Sequence, residues 1–310
     1  MRNKSKLFWL RMAGTLLTIL LLVWLLHQQG WQQISSALSR ITTWHFLAAL
    51  LVTLLSRIAV ALRWHILLRS ARAPLSLAQS LQITFAGLFS SNFLPTTIGG
   101  DVLRLAGAIQ MRIDSATGAA SLVVDRLIGM AGMALPLPIG LAALFTLGLP
   151  PIQTSARSTE IAGIAASPLF LSRFWNRLRS FFQRTVQNFK LWAHQPGWLF
   201  LALGFTLLHQ VFLYISILIV LHALGEPVAW LHVAGIWSLV YFITLLPISV
   251  NGLGLQEIST TLLFSHLGGI SPETSATVAL LVRTLQMTAS LPGALFVTGI
   301  ATARVKKGIQ

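Results

Sequence analysis

Apolar runs of about 20 residues, enough to cross a hydrocarbon layer of about 30 Å, recur along this chain from end to end. The first covers Leu7 to His27 and the second Trp44 to Trp64, with the polar stretch "QQGWQQISSALSRITT" between them. A third, Leu77 to Leu94, stops at "LPTTIGGD" instead of running through, and a second arm follows from Ile98 to Met111. Ser115 to Leu149 is too long for one straight span, and Pro136 and Pro138 predict a kink in it. The stretch "IAGIAASPLFL" is barely half a membrane thickness. Trp198 to His222 reads as another full crossing. Leu231 to Leu246 then meets "PISVNGLGLQE", a short arm runs to Phe264, and a last span covers Thr274 to Thr302. The pattern predicts an all-α, polytopic integral membrane protein with roughly 6–8 transmembrane helices in a single domain over residues 1–310.

One segment breaks the pattern. In "SRFWNRLRSFFQRTVQNFKLW", about residues 172–193, Phe174, Leu178, Phe181, Phe182, Val186 and Phe189 fall on one helical face. Arg173, Arg177 and Arg184 fall on another, which predicts an amphipathic helix lying on anionic cytoplasmic lipid. The alternative is a solvated connector.

Composition agrees with the run lengths. Of 310 residues, 55% are hydrophobic and 9% charged, and the mean hydropathy is +0.76. Soluble domains carry roughly a quarter charged residues. The basic, then apolar, N-terminus resembles a signal peptide, but its apolar run is too long and no A-x-A-type site follows, so a retained first helix is expected. The absence of cysteine excludes disulfides and thiolate metal sites.

A formal charge of +15 would suggest nucleic acid in a soluble protein. Here the basic residues gather in short stretches: Arg2, Lys4 and Lys6; Arg57, Arg63, Arg69 and Arg72; the 172–193 segment; and Arg304, Lys306 and Lys307. The intervening loops hold only Arg40. By the positive-inside rule both termini face the cytoplasm, and the expected location is the plasma membrane, the inner membrane of a bacterium, with no nucleic-acid partner.

The break at Pro95 has an echo. "FLPTTIGG" (Phe93 to Gly100) lines up with "LLPISVNG" (Leu245 to Gly252), with the same spacing from Pro95 to Gly100 as from Pro247 to Gly252. Downstream, "SLVVDRLIGM" matches "VALLVRTLQM" and sets Arg126 opposite Arg283, and a proline follows each, Pro136 and Pro292. By loop charge the first unit, about 77–148, enters from the cytoplasm and the second, about 231–302, from outside. The expectation is an inverted repeat of two re-entrant broken-helix hairpins. Free backbone groups at that depth require protein or water, so the breaks at Pro95, Gly99 and Gly100, and at Pro247, Gly252 and Gly254, should line a cavity.

Asp101, Arg104, Asp125, Arg126, Glu257 and Arg283 lie in apolar surroundings. A charge at bilayer depth costs at least ~2.5 kcal/mol, so each is a candidate site residue. Arginine contacts phosphate bidentately, which suits Arg104, Arg126 and Arg283 to a lipid phosphate. Asp101 and Glu257 could pair with those arginines, take up a proton or ion, or contact a cationic head group. Alternatively, Asp101–Arg104 and Asp125–Arg126 simply neutralise each other near the cytoplasmic surface. Asn92 and Asn251 supply polar cavity contacts or cap broken helix ends. The eight histidines show no metal spacing, and "GLGLQE" lacks the third glycine and strand context of a dinucleotide fingerprint. No cofactor, metal site or catalytic motif is expected.

The set "NFLPTTIGGDVLR", "SLVVDRLIG", "LLPISVNGLGLQE" and "VRTLQM" resembles the flippase-like integral membrane family related to the membrane region of lysylphosphatidylglycerol synthases. The likeness covers nearly the whole chain. It implies that Pro95, Gly99, Gly100, Asp101 and Arg104, then Asp125 and Arg126, then Pro247, Gly252, Gly254 and Glu257 are site residues. One departure is Asp125, where the family usually has Glu. The resemblance implies movement of a lipid, lipid-linked sugar or similar amphiphile between leaflets, without the soluble aminoacyl-transferase domain. An accessory or catalytic membrane subunit of envelope glycolipid or isoprenoid-lipid synthesis, working beside such enzymes, is the alternative. A small-solute or ion transporter is the third reading.

Overall fold

Lipid tails are as apolar as leucine, so a helix in a bilayer gains nothing by hiding its leucines. Thr43–Ser70 (α1) shows the consequence. Ala49, Thr53, Ser56, Arg63 and Leu67 share one face and are buried, while Leu47, Leu51 and Leu55 on the opposite face are exposed. Pro196–Ala223 (named α6 below) does the same, burying Ala202, Thr206, Gln210 and Ser216 and exposing Phe200, Leu207 and Leu208. The two polar stripes meet. Thr53 Oγ1 and Ser216 Oγ lie 2.8 Å apart, and Ser216 Oγ donates to Ala49 O at 3.1 Å. Ser56 Oγ lies 2.6 Å from His209 Nδ1, and Arg63 Nη1 donates to Thr206 Oγ1 at 3.3 Å. Numbers rise on one helix as they fall on the other, so the pair is antiparallel.

This computed structural model describes residues 39–93, 99–146, 196–246 and 249–297. The expected first helix, the 161–171 stretch, the basic 172–193 segment, Pro95 and Pro247 lie outside the described residues. Nine α-helices and no strand occur among the described residues. After α1 come α2 (Leu77–Phe93), α3 (Gly99–Gln110), α4 (Ser115–Ala134) and α5 (Leu137–Thr146). The second half holds α6, α7 (Trp230–Thr244), α8 (Leu255–Gly268) and α9 (Pro272–Ser290). Three helices among the described residues are long and apolar enough to cross a membrane: α1, α6, and α9 continued to Val297. The bent pair of Ser115–Ala134 with Leu137–Phe145 makes a fourth, its 43° bend falling at Pro136 as predicted.

Side-chain contacts give the direction of each helix. On α4, Ser121 accepts from Trp64 Nε1 and Asp125 from Arg63 Nε, so α4 runs against α1. A short turn reverses the chain after α1, and Ser80 of α2 meets His65 at 2.9 Å, so α2 also runs against α1. Asn92 reaches Ser290 while Gly293 abuts Phe85, so α9 runs against α2 and hence with α1. A turn after Ala223 sends α7 back against α6, and therefore also with α1. The short helices α3 and α8 fold back on α2 and α7: Ile83 meets Gly107, and Ile236 meets Gly268. Each unit is thus a helix, a break, a short helix and a long helix, and the two units point in opposite directions.

The first hairpin closes through small residues. A Cβ at Gly100 would lie 2.0 Å from Ser91 Oγ and 2.6 Å from the Gly87 carbonyl oxygen. The second contact is backbone and cannot swing aside. Gly100→Ala is expected to destabilise the protein by about 1–3 kcal/mol, seen as a lower midpoint of thermal unfolding in detergent.

Candidate functional site

Where the chain breaks between α7 and α8, three residues take left-handed backbone: Asn251 (φ 52°), Gly252 (φ 69°) and Gly254 (φ 76°). Glycine adopts this freely and asparagine tolerates it, which is why this break carries "NGLG". Gly254 then opens α8, as Gly99 opens α3. Asn251→Val should cost about 1–2 kcal/mol of stability, since a β-branched side chain clashes in that conformation. Asn251→Gly should be tolerated, and a thermal melt of both variants checks the contrast.

The helix end that leads into the first break meets the second break. Asn251 Nδ2 donates to Asn92 Oδ1 at 3.4 Å, and Asn92 Nδ2 donates to Ser290 Oγ at 3.0 Å. Asn92 sits at the last turn of α2, one residue before Phe93 ends it. A cavity of about 560 Å³ opens beside this contact. Its charged lining is Arg57, Arg126 and Arg283, with no carboxylate. Of the predicted site residues, Asn92, Arg126, Asn251, Gly252 and Arg283 line it.

The remaining predicted charges lie behind the cavity wall as an ion-pair chain. Asp125 is 2% exposed and receives Arg63 Nε at 2.6 Å on Oδ1. Its Oδ2 accepts from Arg104 Nη1 and Nη2 at 3.2 and 3.1 Å. Arg104 also lies 3.6 Å from Asp101 and stacks over Trp64, 4.5 Å from the ring centre. Asp101 in turn pairs with Arg126. The second unit repeats the last link: Glu257, in the first turn of α8, pairs with Arg283 of α9 at 3.4 Å. In both units a carboxylate in the first turn after the break holds the arginine of the following long helix. That position also suits a negative charge to the helix dipole.

This arrangement corrects the sequence reading twice. Asp125 and Arg126 do not neutralise each other, because adjacent helical residues point about 100° apart. Asp101–Arg104 is present, but it is one link of a longer chain. Arg57 and Arg63, grouped with the basic stretch that ends at Arg72, lie inside α1, within the predicted span from Trp44 to Trp64, and the helix continues to Ser70. The missed lining residues are Arg57, His209, Trp237, Tyr241, Gln256 and Gln286. Arg57 was detectable, since an arginine in the middle of "LLVTLLSRIAVAL" is a functional candidate by itself. Among the described residues, no group of three or more His, Asp or Glu could hold a metal ion.

Residues 11–293 match the family model for the lysylphosphatidylglycerol synthase TM region. The chain belongs to this family. Membership makes it a membrane protein of lipid-related cell-envelope processes, in agreement with its spans. No curated protein and no solved structure matches the chain. In this family member, the arginines at the paired positions 126 and 283 both reach the cavity, together with Arg57.

Proposed function

We propose that this family member translocates an amphiphile with an anionic head group, a lipid or lipid-linked sugar, between the leaflets of the membrane, without performing a covalent step. The observation that carries the reading is the meeting of two oppositely directed helix breaks beside a cavity whose charged lining is arginine alone. Opposed broken helices around a midplane site are the arrangement of alternating-access transporters. Arg57 lies half-way along the 28-residue α1, which supports a cavity near that depth. Binding pockets of about 300–1,000 Å³ enclose ligands of head-group size, so a cavity of about 560 Å³ takes the head and leaves acyl chains outside. On this reading the protein resides in the bacterial inner membrane with both termini in the cytoplasm.

Purified protein in liposomes should speed the loss of a fluorescent anionic lipid from the outer leaflet, measured by chemical quenching. Appearance of a new lipid product with the purified chain, or no acceleration with any lipid, overturns the reading.

A further inference from the structure

The charges around the breaks do not balance. Five arginines gather there (Arg57, Arg63, Arg104, Arg126 and Arg283) against three carboxylates (Asp101, Asp125 and Glu257). The first-unit chain of Arg63, Asp125, Arg104, Asp101 and Arg126 carries one net positive charge. Arg283 and Glu257 cancel. Arg57 has no ion pair or hydrogen bond among the described residues, and supplies the second. Two uncompensated cations at bilayer depth are costly unless a ligand meets them.

The donors that are free point the same way. Arg283 is 7% exposed, yet its Nη2 makes no hydrogen bond to the protein, while Nη1 donates to Gln256 Oε1 at 3.3 Å. Arg283 therefore brings an incompletely satisfied guanidinium to the same cavity as Arg57, and two guanidiniums on one cavity match the separate oxygens of one phosphate group. Neutral polar residues complete the lining: Asn92, Asn251 and Tyr241.

Resting on the translocation reading, we propose that the head group is a phosphate bearing two negative charges, a phosphomonoester or diphosphate, and that Arg57 is the residue that selects the second charge. A phosphodiester head would leave one arginine unmatched. A zwitterionic head would also leave one arginine unmatched, and would place its cation against a carboxylate-free wall.

The test measures affinity by ligand-induced thermal stabilisation of the full chain in detergent. The probes are phosphatidic acid, phosphatidylglycerol and phosphatidylcholine with identical acyl chains, and inorganic phosphate. Phosphatidic acid should bind at least about tenfold tighter than phosphatidylglycerol, the change expected for one added charge-assisted contact. Arg57→Gln should reduce that ratio to about one, whereas Arg57→Lys, which keeps the charge, should preserve it. Arg69→Gln, which removes a charge from the exposed end of α1, should leave it intact. Equal affinity of the two lipids in the native protein, or a ratio unmoved by Arg57→Gln, overturns the proposal while leaving translocation to the liposome assay. Inorganic phosphate binding as tightly as phosphatidic acid would overturn the lipid source of the phosphate, and the translocation reading with it.

Discussion

Asp125→Asn is expected to be the most damaging single substitution in the molecule. Asp125 is the shared counter-ion of Arg63 and Arg104, which are only 7% and 8% exposed. An asparagine fits the space but brings no charge, so Arg63 would lose its counter-ion and Arg104 would keep only Asp101, already shared with Arg126. Removing one partner of a buried pair costs about 3–5 kcal/mol, against a total stability of about 5–15 kcal/mol. The variant should therefore express poorly and melt far below the native protein in detergent. Removing one of the stranded charges as well, in Asp125→Asn/Arg63→Gln, should recover part of the loss. Asp125→Glu should be tolerated better than Asp125→Asn, because it keeps the charge. The short aspartate already reaches both arginines, 2.6 Å from Arg63 and 3.1 Å from Arg104. A native-like melting midpoint for Asp125→Asn would remove the ion-pair chain from the account.

Arg283→Gln should have the largest effect on transport. Arg283 lines the cavity, so on the proposed reading its loss removes one of the positive charges that would meet the head group. Hydrogen bonds to charged groups are worth about 1.5–3 kcal/mol, which corresponds to a decrease of about 10- to 100-fold in transport at low lipid concentration. The same substitution strands Glu257, which is 3% exposed, so a fall in activity alone could reflect unfolding. The double variant Glu257→Gln/Arg283→Gln separates the two effects. It leaves no unpaired charge, should melt close to the native protein, and should still fail to transport. Native transport by the double variant would take Arg283 out of the binding site.

Much of this architecture was legible in the sequence because prolines and paired glycines are hard to reconcile with an unbroken helix. "LPTTIGG" and "VNGLG" in apolar surroundings located both breaks, and Pro136 located the bend. The aligned Arg126 and Arg283 proved to be the two arginines that each hold a first-turn carboxylate. The pairing partners were not legible. Adjacency in sequence suggested Asp125–Arg126, but a helix turns neighbours to different faces, and partners on α1 and α3 lie far away along the chain. Arg57 and Arg63 fall within the predicted span from Trp44 to Trp64 but group by charge with the basic stretch running to Arg72. The apolar run falters at Trp64, whereas α1 persists six residues further because the buried stripe of Ala49, Thr53, Ser56 and Arg63 continues to Leu67. Helical spacing of small and polar residues was the signal there, and hydropathy alone does not carry it.

The central claim is that two breaks from oppositely directed hairpins meet at one cavity. The chain contains no cysteine, so Asn92→Cys and Asn251→Cys can be introduced without background. A short thiol-specific cross-linker applied to this double variant in liposomes gives the most direct test. The account predicts an efficient intramolecular cross-link that abolishes lipid transport, with both restored to the uncross-linked state when the linker is reductively cleaved. Single labelling of each cysteine with no cross-link between them would contradict it.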